Sequence, residues 1–173
     1  DFIPNASEAE IADVIYKYGE EVQSRQIAKR IVEERQKEPI ISTLKLAETI
    51  RSAMHYRKAK IDPATKTFQA IRIYVNKELE SLELFLNSLS ELLKPGARIL
   101  IVSFHSLEDT IVKSFFKDHS AKKIARSKYS KNPENTDVTK WLRVITKKPI
   151  LPTNGEIKEN HRSRSARLRV AEK

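Results

Sequence analysis

The chain contains no cysteine, only three isolated glycines and no long hydrophobic run. Without cysteine it can form neither a disulfide framework nor a thiolate metal site, so we expect a reducing, cytoplasmic compartment. No apolar run approaches the roughly 18 residues that a membrane-spanning helix requires, and we expect no membrane partner. The four histidines lack metal-ligand spacing, and no G-x-S-x-G sequence of a hydrolase occurs. The sequence therefore predicts neither a metal site nor a serine hydrolase.

The whole chain of 173 residues has a net charge of +10, and the excess positive charge is concentrated in its second half. Residues 1–96 contain 15 Lys and Arg and 15 Asp and Glu, whereas residues 97–173 contain 18 and 8. A basic half beside a neutral half is typical of proteins that bind a polyanion, most often nucleic acid. A generally basic surface without such a partner explains the composition equally well.

The first half predicts a series of amphipathic helices. A capping box that begins at Ser7 predicts a helix over residues 8–18, with Gly19 as its left-handed C-cap residue. Helical apolar periodicity later extends over residues 64–94, which predicts one long helix or two helices with a bend near residues 80–81.

A short apolar run rich in β-branched residues, 98–102, predicts a fully buried strand. The chain then turns sharply and enters a helix, for which Ser106 followed by Asp109 predicts the N-cap. A strand that leads directly into a helix is typical of a parallel α/β sheet, in which ligands bind at the carboxyl ends of the strands. Phe104 and His105 are expected at that end.

The end of the chain predicts two further strands. Residues 141–146 and 165–171 alternate between apolar and polar side chains, as half-buried strands do. The second of these strands follows the basic run His-Arg-Ser-Arg at 161–164.

Three stretches carry a recognisable pattern: TFQAIRIYVNKEL (67–79), VSFHSLEDTIVKSFF (102–116) and NHRSRSARLRVAEK (160–173). Together they resemble the bacterial 16S ribosomal RNA cytosine-N4 methyltransferases of the MraW/RsmH type, over nearly the whole chain. The resemblance implies S-adenosylmethionine-dependent methylation of a cytidine N4 in 16S ribosomal RNA, with the small ribosomal subunit as partner. A non-catalytic RNA-binding module is the alternative.

The resemblance also implies the fold: an α/β protein, mostly helical overall, in which an all-helical substrate-recognition domain interrupts a Rossmann-like methyltransferase sheet. Residues 1–77 would form the helical insert and residues 78–173 the C-terminal half of the sheet, with its final two strands antiparallel. The family builds its cofactor site around a glycine-rich turn, and the three glycines here are isolated. We therefore expect the rear portion of an enzyme, without cofactor-binding residues and inactive alone.

Methylation at a cytosine N4 requires a group that places the amine and accepts its proton as charge develops. His105 and Ser103, at the strand end, are the candidate catalytic residues. A structural turn is the alternative for His105, and the two interpretations are equally supported.

Basic residues near the recognised motifs are the candidates for contacts with RNA phosphates, which set affinity and salt dependence. They are Arg57, Lys58, Lys60, Lys66, Arg72, Arg162, Arg164 and Arg167. Tyr56 and Tyr129 are candidate stacking neighbours. Arg72 shares a helix face with Asn76, and this face either contacts RNA or cofactor or forms a hydrogen-bonded seam between domains.

An incomplete sheet exposes an edge and apolar faces. We therefore expect the isolated chain to self-associate, as a homodimer or by exchanging elements.

Overall fold

A computed structural model describes residues 2–54, 62, 64–120 and 140–173. The chain divides into two compact units, Asp1–Glu78 and Leu79–Lys173. Helices form the described part of the first unit, and the second unit combines helices with a three-stranded sheet. None of the described helices is long and apolar enough to cross a membrane.

The first unit is held together by a core of isoleucines on amphipathic helices. Its helices are α1 (Phe2–Asn5), α2 (Glu8–Gly19), α3 (Ser24–Lys37), α4 (Thr43–Ala53) and α5 (Ala64–Asn76). Five isoleucines of α2, α3 and α4 are completely buried: Ile11, Ile15, Ile27, Ile31 and Ile50. Burial of each such side chain contributes about 1.5–3 kcal/mol, so this core is the main source of the unit's stability.

Helix α2 begins with the predicted capping box and ends differently from the prediction. Ser7 Oγ accepts from the backbone N–H of Glu10, and the Glu10 carboxylate accepts from Ser7 N at 2.7 Å. The left-handed residue after the helix is Glu20, with φ 50°, and not Gly19. Gly19 instead allows the close approach of α5, because a Cβ there would lie 2.7 Å from the carbonyl oxygen of Lys66.

The long periodic stretch forms two helices, α5 and α6 (Glu78–Leu92), which are separated by a single residue. That residue, Lys77, has φ 51°, and its N–H donates to Tyr74 O at 3.2 Å. The predicted bend near residues 80–81 was therefore placed about one turn too late. The apolar periodicity of the sequence continues through this break, so the pattern gave no indication that the helix is interrupted at Lys77.

The second unit contains a small antiparallel sheet. After α6 its elements are β1 (Arg98–Ser103), α7 (Ser106–Asp118), β2 (Arg143–Val144), α8 (Asn154–Glu159), a 3₁₀ helix (His161–Ser165) and β3 (Arg167–Glu172). The strand order is β1-β3-β2, and β3 pairs antiparallel with both neighbours. The expected antiparallel pair at the end of the chain is confirmed, although β2 spans only two residues. The three described strands include no parallel pair, so the larger Rossmann-like sheet stays a prediction.

Strand β1 is covered on one face, which corrects the prediction of a fully buried strand. Ile99 is 7% exposed and packs in a core with Leu86 of α6 and Val112 of α7. Leu100 and Val102 point to the opposite face and are 61% and 51% exposed. Apolar composition alone did not reveal this difference, because both faces of the strand are apolar.

Candidate functional site at the carboxyl end of β1

The register between β1 and β3 brings two of the recognised sequence motifs together. Ser103, the last residue of β1, lies opposite Arg167, the first residue of β3. The 3₁₀ helix that contains Arg162 and Arg164 leads directly into β3. The basic tail of the chain therefore meets the Phe-His-Ser turn at the carboxyl end of β1, which we call the strand-end site.

His105 is the N-cap of α7, where the sequence predicted Ser106. Its backbone is extended, and its Nδ1 accepts from the backbone N–H of Glu108 at 3.4 Å. In return, one Glu108 carboxylate oxygen accepts from Phe104 N at 2.8 Å and from His105 N at 3.3 Å. The capping box is thus His105–Glu108, one residue earlier than predicted, because Asp109 faces inward and cannot fold back onto the turn.

The two predicted catalytic residues are close together and largely buried. The His105 side chain is 7% exposed, and its Nε2 lies 3.4 Å from Glu108 Oε1. Ser103 is 3% exposed, and its hydroxyl donates to the carbonyl oxygen of Arg167 at 3.4 Å. Both side chains therefore have structural contacts, and their catalytic role stays a prediction.

A buried ion pair lies beneath the strand-end site. The Asp109 carboxylate receives two hydrogen bonds from Arg169, from Nε at 2.6 Å and from Nη2 at 2.9 Å. Arg167 Nη1 adds a longer contact at 3.3 Å. The Arg169 hydrogen bonds, more than the nearby charges, hold the pKa of Asp109 below its ordinary value against the opposing effect of burial.

Sequence reasoning missed this pair. It assigned Asp109 to the N-terminal cap of helix α7, together with Ser106, and did not consider Arg169. No sequence signal identifies Arg169, because the apolar–polar alternation of β3 assigns Leu168 and Val170 to the buried face. Only the register shows that Arg169 lies opposite Ile101 and shares its inward face. An arginine at such a position requires a buried acid, and Asp109 supplies it.

The predicted phosphate-binding residues of the tail form the basic rim of the strand-end site. Arg167 is held by Asp109, and its side chain remains 42% exposed. Arg162 and Arg164 are exposed, and Arg164 Nη1 lies 2.9 Å from His161 Nδ1. Residues 140–173 contain ten Lys and Arg and only three Asp and Glu, so this part of the chain is strongly basic.

Lys66 and Arg72 are the two candidate phosphate-binding residues that the structure describes in the first unit, and each has an acidic partner in that unit. Lys66 Nζ lies 3.2 Å from Glu20 O and 3.6 Å from the carboxylate of Glu21, which is 2% exposed. Arg72 binds Glu78 through two hydrogen bonds of 2.8 and 3.0 Å. Such contacts do not test RNA binding, and the role of these cations stays a prediction.

The amide of Asn76 also donates to the Glu78 carboxylate, at 3.2 Å. Two polar side chains on the predicted face of α5, Arg72 and Asn76, therefore have hydrogen-bond partners within their own unit. The remaining candidates lie outside the described residues: Arg57, Lys58, Lys60, Tyr56 and Tyr129.

The glycines of this chain do not fit the cofactor turn of a Rossmann-like methyltransferase. Gly19 lies in α2 and Gly155 in α8, and Gly96, with φ 80°, precedes β1. A glycine-rich cofactor turn follows a strand, where the backbone must approach the ligand closely. No glycine occupies such a position.

The fold and the strand-end site define a basic protein that combines a helical unit with a unit containing a small antiparallel sheet, at one end of which Arg167 lies opposite Ser103. The MraW methylase family matches residues 1–173, and the chain belongs to that family. The family assignment made from the three sequence motifs is thereby confirmed.

Curated relatives from Rickettsia share more than half of their aligned residues with the chain. The protein of Rickettsia prowazekii is 57% identical over 173 residues, which are 100% of this chain and 56% of the relative. That of Rickettsia bellii is 56% identical over 173 residues, 100% of this chain and 57% of the relative. Both are named "Ribosomal RNA small subunit methyltransferase H". The chain spans about half the length of the curated relatives it matches.

Proposed function

We propose that the whole protein methylates a cytidine N4 in 16S ribosomal RNA with S-adenosylmethionine, and that this chain supplies part of its RNA-contacting surface. The family and the printed names of the relatives support a methyltransferase that acts on small-subunit ribosomal RNA. The observation that carries the proposal for this chain is the register that sets Arg167 opposite Ser103, next to His105. One strand end thereby joins the basic tail to the candidate catalytic residues.

The chemistry of the substrate explains why a rigid strand end is useful. The N4 lone pair of cytosine is delocalised into the ring, so the enzyme must fix the amine in place and receive its proton. His105 and Ser103 form the wall against which the base is placed. The Nδ1 of His105 accepts from Glu108 N–H, and its Nε2 lies 3.4 Å from a Glu108 oxygen, so Glu108 orients the imidazole at the strand end.

Arginines of the tail bind the RNA backbone. Arg162, Arg164 and Arg167 neutralise phosphates next to the target nucleotide. Lys66 and Arg72 are the candidate phosphate contacts of the first unit. In this assignment Asp1–Glu78 corresponds to the helical substrate-recognition domain and Leu79–Lys173 to the C-terminal part of the methyltransferase sheet. Contacts of this kind make binding strongly salt-dependent.

S-adenosylmethionine supplies the methyl group, and other parts of the whole protein hold it. The proposal that the cofactor is bound outside this chain is supported by the positions of Gly19, Gly96 and Gly155, none of which follows a strand. Calorimetric titration of the chain with S-adenosylmethionine is expected to give no saturable heat. Tight, stoichiometric uptake of the donor would overturn this part of the proposal.

Methyl transfer to small-subunit RNA tests the proposed function. We expect incorporation by the whole protein, and by this chain only when the remaining portion of a relative is supplied. His105→Ala in the whole protein should lower kcat, and Arg167→Ala should raise KM for RNA. RNA binding without methyl transfer in every case would favour the non-catalytic module.

A further inference from the structure

Phe104 presents an exposed aromatic ring in a turn whose neighbouring side chains are buried. It is 54% exposed, whereas Ser103 is 3% exposed and the side chain of His105 is 7% exposed. A single exposed apolar residue is common on protein surfaces and needs no explanation by itself. Phe104 is of interest because of its position and because of how its backbone is held.

The backbone of Phe104 is fixed by a charged group. Its N–H donates to Glu108 Oε2 at 2.8 Å, and the same oxygen accepts from His105 N at 3.3 Å. Glu108 lies in the first turn of α7, where the helix dipole favours its negative charge. The ring is therefore exposed on a rigid backbone, and little conformational entropy is lost when a ligand stacks on it.

A guanidinium group lies at the same strand end. Arg167 is opposite Ser103, the residue before Phe104, and its 42% exposed side chain is held by Asp109. An unpaired nucleotide has two features that proteins recognise without regard to sequence, the face of its base and its phosphate. An aromatic ring and an arginine at one end of β1 match these two features.

We propose that Phe104 stacks on an unpaired nucleobase of the RNA, that Arg167 contacts an adjoining phosphate, and that Glu108 positions Phe104. The inference rests on the proposed function and identifies the part of the site that holds a nucleobase. The ligand is a nucleotide of single-stranded RNA, because the base faces inside a duplex are already stacked.

Two oligomers that differ only in their bases separate stacking from phosphate binding. The first is a single-stranded oligocytidylate, and the second has the same length and sugar-phosphate backbone without bases. Loss of one base–aromatic stack weakens binding about 10- to 100-fold. Phe104→Ala in this chain should therefore weaken binding of oligocytidylate by that factor and leave binding of the abasic oligomer unchanged.

Variants at other positions serve as controls. Leu100→Ala removes a comparably exposed apolar side chain from β1 and should change neither affinity. Phe104→Trp keeps an aromatic ring and should retain binding of oligocytidylate. Arg167→Ala should weaken binding of both oligomers equally and reduce the slope of log K against log salt by about 0.7.

Glu108 is tested as a positioning residue. Glu108→Ala removes the acceptor for Phe104 N and should weaken binding of oligocytidylate alone, whereas Glu108→Gln keeps an oxygen acceptor and should restore most of it. A variant that merely destabilised the chain would weaken binding of both oligomers. Equal effects of Glu108→Ala on the two oligomers would contradict the positioning role.

The results distinguish the inference from the proposed function. Unchanged binding of oligocytidylate by Phe104→Ala, or an equal loss with the abasic oligomer, would overturn stacking by Phe104. Absence of binding of either oligomer to the unmodified chain would contradict RNA contact itself. Base-dependent binding without methyl transfer by the whole protein would leave stacking intact and overturn the proposed activity.

Discussion

Asp109 Oδ1 lies 2.6 Å from Arg169 Nε, in a bidentate pair whose two residues are each only 6% exposed. The pair joins the first turn of α7 to the middle of β3, directly beneath the strand-end site. Since removal of Arg169 leaves the buried Asp109 carboxylate with only the longer contact from Arg167, the pair is expected to fix the geometry of this end of the sheet.

Arg169→Met should strongly destabilise the chain. Breaking a buried pair by removing one partner costs about 3–5 kcal/mol, whereas replacement of both partners by apolar residues is often close to neutral. The free energy of unfolding in urea should therefore fall by that amount in Arg169→Met and recover largely in Asp109→Leu/Arg169→Met. A loss below about 1 kcal/mol in the single variant would show that the pair is not tightly coupled.

Asp109 also predicts a specific acid sensitivity. Its pKa in the folded chain is held below the ordinary value of 3.8 by Arg169, so its contribution to stability is present above about pH 4 and is lost as pH falls through the folded pKa. The free energy of unfolding should therefore decline less steeply below pH 4 in Asp109→Asn than in the unmodified chain. The pKa values of Glu10, Asp62 and Glu172 are also lowered, but these carboxylates occur in both proteins and cancel in the comparison. Identical slopes would contradict this prediction.

Gly19→Ala should destabilise the first unit. The new Cβ would lie 2.7 Å from the Lys66 carbonyl oxygen, which belongs to the backbone of α5 and cannot move aside cheaply. Overpacking of this kind costs about 1–3 kcal/mol. Gly155→Ala is the matched control, because its Cβ would meet nothing nearer than 3.8 Å and alanine favours helix α8. Thermal unfolding should show a lower Tm for Gly19→Ala alone.

Strand β1 should promote self-association. Among the described residues it pairs only with β3, and its exposed face includes Leu100 and Val102. Sedimentation velocity should show an apparent mass that rises with protein concentration, and Val102→Lys should reduce this rise. A monomer at all concentrations would contradict the prediction.

Local sequence signals predicted the helices and the strands of this chain well. The capping box at Ser7 and the strand at residues 98–102 follow from short patterns that the rest of the chain does not override. The antiparallel pairing of the final two strands was implied by the family resemblance. Left-handed residues were harder to predict. Glu20 and Lys77 adopt positive φ values that sequence rules assign to glycine, because packing of the helices on either side determines where each chain reversal occurs.

The strand-end site was only partly predictable. The sequence identified His105 and Arg167 separately, but nothing in it revealed that the register of β3 would place Arg167 opposite Ser103. Nor did spacing distinguish Glu108 from Asp109, since either can follow an N-cap residue. The inward rotation of Asp109 toward Arg169 decides between them, and that contact spans 60 residues of sequence.

Photochemical cross-linking tests most directly whether the strand end of β1 contacts ribosomal RNA. The chain would be irradiated with single-stranded small-subunit RNA, and the adducts located by mass spectrometry of the peptides. We expect adducts on Phe104 and within residues 161–167, which disappear in high salt together with binding. Adducts confined to other parts of the chain, with none at the strand-end site, would contradict it.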